Sequence, residues 1–247
     1  ARDFSEDVVL TSQSASAVEW LIGGSYLHAD AAQRLTVNVA PAQITDVPDG
    51  RLVTDAGALF GEAEWQFAPG WRLKAGARWA DEHRDRHYRE TVDGAPVATL
   101  GVGKSWSAFV PSATIDYHPV KALLIYASAG RGFKSGGFNI GQAQAAPFDA
   151  ETLWAFEAGI KVEARDLPLH ATASTFQYNY RNIQVAVLSP VAPPSGLPIL
   201  ENAARATVRG AELALSADAT PRLSLGLSLA ALDARYDDYV SIDPNNP

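Results

Sequence analysis

The chain has 247 residues, 47% of them hydrophobic and 19% charged, with a net charge of −8 and a sequence pI near 5.1. An acidic chain lacks the basic face that phosphate contacts need, which argues against a nucleic-acid partner. It contains no cysteine, which excludes disulfide frameworks, thiolate metal sites and cysteine nucleophiles together.

Methionine is also absent, even at position 1, so residue 1 is expected to be internal to a longer precursor. The segment Ala1–Leu10 carries Arg2, Asp3, Glu6 and Asp7 and lacks the apolar run of a signal peptide. No stretch approaches the roughly 18 apolar residues of a membrane helix. A membrane reading of this chain must therefore be a β-barrel.

Taken in chain order, the pattern predicts about ten strands, near 3–12, 16–29, 56–67, 71–84, 104–117, 121–133, 149–164, 168–186, 199–216 and 221–236. The clearest is 71–79, where Trp71, Leu73, Ala75, Ala77 and Trp79 alternate with Arg72, Lys74, Gly76 and Arg78. Strict period 2 gives a strand one apolar and one polar face, whereas a helix would mix the two classes around its axis. Residues 109–117 repeat the pattern less strictly. In 154–163, Trp154, Phe156, Ala158, Ile160 and Val162 alternate with Glu157, Gly159, Lys161 and Glu163. In 168–186 the phase changes, since Leu169 and Ala171 sit on one face and Phe176, Tyr178 and Tyr180 on the other; a bulge is the expected reconciliation. Ala211, Leu213 and Leu215 alternate with Gly210, Glu212 and Ser216, and Leu223, Leu225, Leu227 and Leu229 with Ser224, Gly226 and Ser228.

Short connections are expected near 13–15, 68–70, 118–120, 165–167 and 217–220, and long ones near 30–55, 85–103, 134–148 and 187–198. The two classes take turns along the chain. In an antiparallel up-and-down meander this puts short turns on one rim and long loops on the other, the asymmetry of bacterial outer-membrane barrels. Aromatics gather near strand ends: Trp65, Phe67, Trp71 and Tyr117 beside short turns, and Trp79, Trp106, Trp154, Tyr178, Tyr180 and Tyr236 toward long loops. Two interfacial girdles would produce this distribution. A soluble β-sandwich or carbohydrate-binding β-domain also alternates, and alternation by itself does not say which face is inside.

Several stretches carry a family resemblance. Residues 125–139 read Ile-Tyr-Ala-Ser-Ala-Gly-Arg-Gly-Phe-Lys-Ser-Gly-Gly-Phe-Asn, and Glu157, Gly159 and Lys161 form a Glu-x-Gly-x-Lys core. Phe176–Gln184, the run from Asn202 through Arg209-Gly-Ala-Glu-Leu, Phe60-Gly-Glu-Ala-Glu-Trp and Ala75-Gly-Ala-Arg-Trp follow the same pattern. Together these resemble the barrel strands of TonB-dependent outer-membrane receptors, in the right order and over most of the chain. The resemblance implies that residues 1–247 are a partial transmembrane β-barrel domain, part of a barrel of roughly 22 strands, with the plug domain and remaining strands absent. It implies uptake of a scarce nutrient across the bacterial outer membrane, such as an iron–siderophore complex, haem, cobalamin or oligosaccharide, with energy from the TonB system. The implied partners are outer-membrane lipid and lipopolysaccharide, the nutrient at extracellular loops, the protein's own plug domain and the inner-membrane TonB complex. A passive porin-like channel is the rival within transport. The terminal Asp243-Pro-Asn-Asn-Pro247 reads as a loop that has been cut.

Three groups of residues invite chemical readings. His83 and His87 are four apart, but in a strand that spacing separates them by about 13 Å on one face. With Arg84, Arg86 and Arg89 they read as a solvated loop base, or as a basic patch for an anionic ligand or lipopolysaccharide. Arg131, Gly132, Lys134, Gly136 and Gly137 lack the Gly-x-x-x-x-Gly-Lys pattern of a phosphate loop and read as a glycine-rich bend where a strand enters a loop. Glu157, Lys161 and Glu163 read as lumen polarity. No residue is assigned as catalytic, cofactor-binding or metal-ligating, no cofactor is expected, and the ligand-contacting residues are not readable.

Overall fold

The computed structural model describes residues 1–13, 17–34, 36–39, 44–139, 146–164, 168–188, 198–220 and 222–239. Most of the expected turn at 13–15, all of that at 165–167, most of the expected loop at 187–198 and the terminal segment 243–247 lie outside them. Eleven strands form: β1 (Arg2–Thr11), β2 (Val18–Arg34), β3 (Val37–Val39), β4 (Ile44–Ala68), β5 (Trp71–Val92), β6 (Ala95–Val120), β7 (Leu123–Lys134), β8 (Glu151–Ala164), β9 (Leu169–Leu188), β10 (Pro198–Thr220) and β11 (Leu223–Tyr239). Ten of them make one antiparallel meander in chain order, and the three-residue β3 pairs only with β4. β1 and β11 stand at opposite ends of the strand order.

Much of two expected loops, 30–55 and 85–103, is instead strand among the described residues. β2 and β4 stay paired up to Arg34 and Asp49. β5 and β6 run 22 and 26 residues and close on Asp93 and Gly94. Both turn residues have positive φ, 49° and 80°, the combination that two-residue hairpins require and that Asp-Gly supplies. The amphipathic signal fades here because both faces of the extension are polar: His83, Asp85 and His87 alternate with Arg84, Arg86 and Tyr88. The short connection expected at 68–70 forms at 69–70, whereas those expected at 118–120 and 217–220 are strand, because β6 runs on to Val120 and turns at 121–122 and β10 runs on to Thr220.

Register sorts the side chains onto two faces, since directly paired residues share one. One face carries Trp71, Leu73, Ala75, Ala77 and Trp79, matched across β6 by Tyr117, Ile115, Ala113, Pro111 and Phe109. Its large side chains are open to the surroundings; Leu59 is 71% exposed and Trp79 54%. Trp65, Phe67, Trp71 and Tyr117 chain together at the short-turn end with ring centroids 5.5, 6.1 and 4.3 Å apart. From Trp71 to Trp79 is eight rises of about 3.4 Å, near 27 Å along a tilted strand, the scale of a bilayer's apolar band. Trp79, Phe109, Trp154 and Phe156 mark its upper edge.

The opposite face holds the charges. Arg72 pairs with Glu64 and Asp116, each at 3.0 Å, and Lys74 with Glu62 at 2.7 Å. Phe60, Tyr126 and Phe176 lie over the glycines directly across from them, Gly23, Gly159 and Gly210. A Cβ on those glycines would fall 2.5, 2.7 and 2.4 Å from the ring, so each ring is flattened against the wall. The phase change in β9 is therefore real. The β8–β9 register runs unbroken from Thr152 to Ala164, and Phe176, Tyr178 and Tyr180 point to the charged face while Leu169 and Ala171 point to the apolar one. The irregularity comes later, at Asn182 (φ 55°) and the shifts around Ala204. Trp106 and Tyr236 likewise belong to the charged face, so they and the β9 tyrosines leave the expected outer girdle.

Candidate functional site

Strands β7 and β8 stop at Lys134 and begin at Glu151, while β5, β6, β9 and β10 continue past them. The gap is spanned by a strap whose described limbs are 135–139 and 146–150. The limbs pair through Gly137 and Phe148, with both backbone hydrogen bonds at 3.0 Å. On one side the strap meets β5 and β6. Phe138 packs edge-on against Trp106 at 5.8 Å, the Arg86 guanidinium lies 5.2 Å from the Phe138 ring, and Arg86 Nη1 donates to the Asn139 carbonyl at 3.1 Å. Lys104 Nζ donates to Asp149 Oδ1 at 2.6 Å and sits 5.4 Å from the Trp106 ring. On the other side Asn139 Nδ2 donates to the Leu200 carbonyl at 3.0 Å and the Leu200 amide returns a bond at 2.7 Å. Gln184 Nε2 donates to the Ser135 and Asp149 carbonyls, and Asn202 Nδ2 to the Asp149 carbonyl.

Asn139 thus touches β5 and β10, five strand spacings apart. A flat sheet would hold them about 24 Å apart, so the sheet must curve with this face inside. The charged face is concave and the apolar face convex. Arg72, Lys74 and Arg78 line the hollow, and Leu223, Leu225, Leu227 and Leu229 line the outer wall. The large buried side chains among the described residues cluster here: Tyr88 is 2% exposed, Arg86 4%, and Phe138, Trp106, Phe148 and Ile199 are also buried. The strap crosses the mouth of the hollow.

Electrostatics fit this docking. The Lys104 ammonium holds the Asp149 carboxyl below its usual value. Burial lowers the proton affinity of the Arg86 guanidinium. Gly136 and Gly137 are needed for close approach rather than for a phosphate. A Cβ at Gly136 would fall 2.2 Å from Trp106 Nε1 and 2.4 Å from the Phe148 carbonyl, and one at Gly137 would fall 2.7 Å from the Phe148 ring.

The other sequence candidates separate. His83 and His87 are strand residues of β5, not a loop base, and both face outward. His83 Nδ1 is 2.8 Å from Ser105 Oγ, and its other nitrogen 3.3 Å from Asp85. Nearby, His28 and Tyr26 both bond Asp55 Oδ1 at 2.8 Å; those two bonds hold the Asp55 carboxyl below its ordinary value. Glu157 accepts from Tyr126 Oη, and Lys161 lies 5.2 Å from the Tyr126 ring, both on the lumen wall. Arg131 ends on the outer face and Lys134 on the inner one. Among the described residues no group of His, Asp and Glu is arranged to hold a metal ion. Sequence reasoning missed Arg86, Lys104, Trp106 and Asp149 as one assembly, since the contacts that bring them to the strap span 32 to 53 residues. The adjacent Gly136, Gly137 and Phe138 were the one local hint.

Residues 3–247 match the family model described as TonB dependent receptor-like, beta-barrel. The pesticin receptor of Yersinia enterocolitica is 24% identical over 159 residues, 63% of this chain and 22% of that protein. The metal-pseudopaline receptor CntO of Pseudomonas aeruginosa is 26% identical over 180 residues, 73% of this chain and 24% of that protein. Among solved structures, the ferric yersiniabactin uptake receptor FyuA from Yersinia pestis superposes with a TM-score of 0.81 at 17% identity, over 96% of this chain and 36% of that one. The chain thus spans less than a quarter of the two curated relatives' length and about a third of the structural one.

Proposed function

The chain belongs to the TonB-dependent receptor β-barrel family, and from that premise we propose that it forms wall and mouth of a receptor that imports a metal–siderophore complex with energy from the TonB system. Its family places it in the bacterial outer membrane, as an uptake receptor component. Its ten long strands are one sector of a larger wall, closed by further strands and filled by a plug. In support, β1 and β11 sit at opposite ends of the strand order.

The observation that carries the reading is the strap across the concave mouth. Arg86, Tyr88 and Trp106 are buried beneath it, as is the ring of its Phe138, and hold it in place, so it forms a fixed rim over the charged concave face, on the side from which a cargo would enter. The metal–chelate receptors among its relatives support the same cargo class.

The test is growth of the producing bacterium on iron-limited medium after deletion of the full gene, with a panel of metal–chelates supplied one at a time. Loss of growth on one chelate, restored by the intact gene, is expected. Uptake that survives collapse of the proton-motive force would favour a passive channel, and a deletion without effect on any chelate would sink the cargo assignment.

A further inference from the structure

Beside the strap the wall has a notch. Ser112, Gly130, Ala155 and Tyr178 form one row across β6 to β9. From that row β7 and β8 continue only to Lys134 and Glu151, whereas β6 climbs to Ala95 and β9 to Leu188. The notch between β6 and β9 is three strand spacings, about 14 Å, wide. The strap's bonds to Gln184, Asn202 and Leu200 take up the β9 and β10 side. On β6 the strap is held at Lys104 and Trp106, which leaves the strand edge above Lys104 facing the notch.

The direction of the backbone groups on that edge follows from two bonds. The Phe109 carbonyl accepts from Arg131 of β7, and the His118 amide donates to Gly70 on the β5 side. Odd-numbered residues of β6 therefore turn N–H and C=O toward β7, and even-numbered ones toward β5. The β5–β6 register is unbroken from Trp71 and Tyr117 to Glu90 and Ala98, so Thr99, Gly101, Gly103 and Ser105 present theirs to the notch. β7 pairs with β6 only as far as Ser112, and no backbone group among the described residues pairs with these four on that side. Pro111 stands where the β7 ladder ends, on the side where a missing N–H breaks no ladder bond. Val97, Leu100 and Val102 are exposed along the same stretch. Strand edges are usually guarded by charge, proline or a bulge; from Thr99 to Gly103 this one has none of them.

We propose that the β6 edge from Thr99 to Ser105 takes an extended segment of a partner polypeptide as an added strand. Donors and acceptors that repeat every second residue, about 6.8 Å apart, are matched by another backbone. A notch of this width admits a chain one strand wide but not a folded domain, which favours an extended segment over a second copy of this chain. Leu100 and Val102 face the hollow and call for apolar residues at alternate positions of the guest, while Gly101 and Gly103 face outward without side chains. The guest segment is thus apolar at every second residue and free of proline. The edge lies beyond Trp79 and Phe109, so the partner is met outside the apolar band. The proposal is independent of the cargo, because the edge is main chain and stands clear of the hollow.

The full-length receptor in detergent micelles provides the test. The probe is a fluorescein-labelled peptide of alternating valine and threonine, long enough to span Thr99 to Ser105, with lysine at each end for solubility. A second probe is the same peptide N-methylated along its backbone, which removes its donors without touching the protein. Gly101→Pro removes an edge-facing donor, as Pro111 does, and leaves the β5 ladder intact. Gly101→Ala keeps the donor, and its Cβ would meet only His87 Nδ1 at 3.7 Å. Fluorescence anisotropy should show the first probe bound equally by wild type and Gly101→Ala, and about tenfold more weakly by Gly101→Pro. The N-methylated probe should not bind. Hydrogen exchange resolved to single residues should find the Thr99, Gly101 and Gly103 amides fast without the probe and slow with it. Absence of binding to wild type, equal binding of the two probes, or equal binding by Gly101→Pro would each overturn the proposal. Slow exchange of those amides in the probe-free monomer would overturn it by showing another segment of the chain already on the edge. A concentration-dependent dimer that Gly101→Pro abolishes would overturn it in favour of a second copy.

Discussion

Arg86 of β5 donates to the backbone carbonyl of Asn139 at 3.1 Å, so one lumen side chain fastens the strap that crosses the mouth. Its guanidinium also faces the Phe138 ring. Arg86→Met should release this side of the strap at a cost of about 1.5–3 kcal/mol, the usual range for a hydrogen bond to a charged group. Limited proteolysis of the full receptor reads this as faster cleavage within the strap. Arg86→Lys keeps the charge without the planar fork and should fall between the two. Unchanged protection in Arg86→Met would mean that Lys104, Trp106 and the β9 and β10 contacts hold the strap without it.

Gly136→Ala should undock the strap from Trp106. The added Cβ would meet Trp106 Nε1 at 2.2 Å and the Phe148 carbonyl at 2.4 Å, and overpacking of this kind costs about 1–3 kcal/mol. Gly130→Ala is the control, because its nearest neighbour would be Ser112 Cβ at 3.6 Å, an ordinary contact. Tryptophan emission should shift to the red in Gly136→Ala and stay put in Gly130→Ala.

Strap docking should weaken in acid. The Lys104–Asp149 bond holds the Asp149 carboxyl below the usual carboxylate range. A depressed carboxyl contributes its stability fully above its unfolded pKa and loses it as pH falls through the lower folded one. Docking is therefore level from neutral pH to about pH 4 and declines below that. Both partners are partly exposed, so the effect is modest. Lys104→Gln should remove this acid step from a protease-protection profile; a step of unchanged size in that variant would assign it to another group.

Ala75 lies midway between Trp71 and Trp79 on the convex face, and Ser112 faces the lumen beside Gly76. Ala75→Arg should cost about 2–4 kcal/mol in bilayer unfolding of the full receptor, and Ser112→Arg much less, because only the first puts a cation in hydrocarbon. Equal costs would contradict the assignment of the two faces.

Period-2 alternation was enough to read the strands and their amphipathic faces, because it follows from the pleat and needs no distant contact. That reading weakened where the solvent changed. Above the apolar band both faces of β5 are polar and β6 mixes Val97, Leu100 and Val102 with Gly and Ser, so the alternation ceased to mark strand, and Asp93-Gly94 at the tip was passed over as part of a loop. In β9 the ring of Phe176, flattened over Gly210, and that of Tyr178, stacked on Phe176, sit where an outward apolar face was expected, because the lumen wall also accepts aromatics.

By itself, then, the amino-acid sequence determined an antiparallel meander of long strands, its two faces and its family, since these are written in local alternation and short motifs. Only the tertiary structure decided which face is concave, that the strap folds over the mouth, and which of Arg86, Arg131 and Arg209 look in or out. Curvature and strap contacts join residues tens of positions apart, and the inward or outward aim of each side chain follows from the register accumulated across the whole sheet.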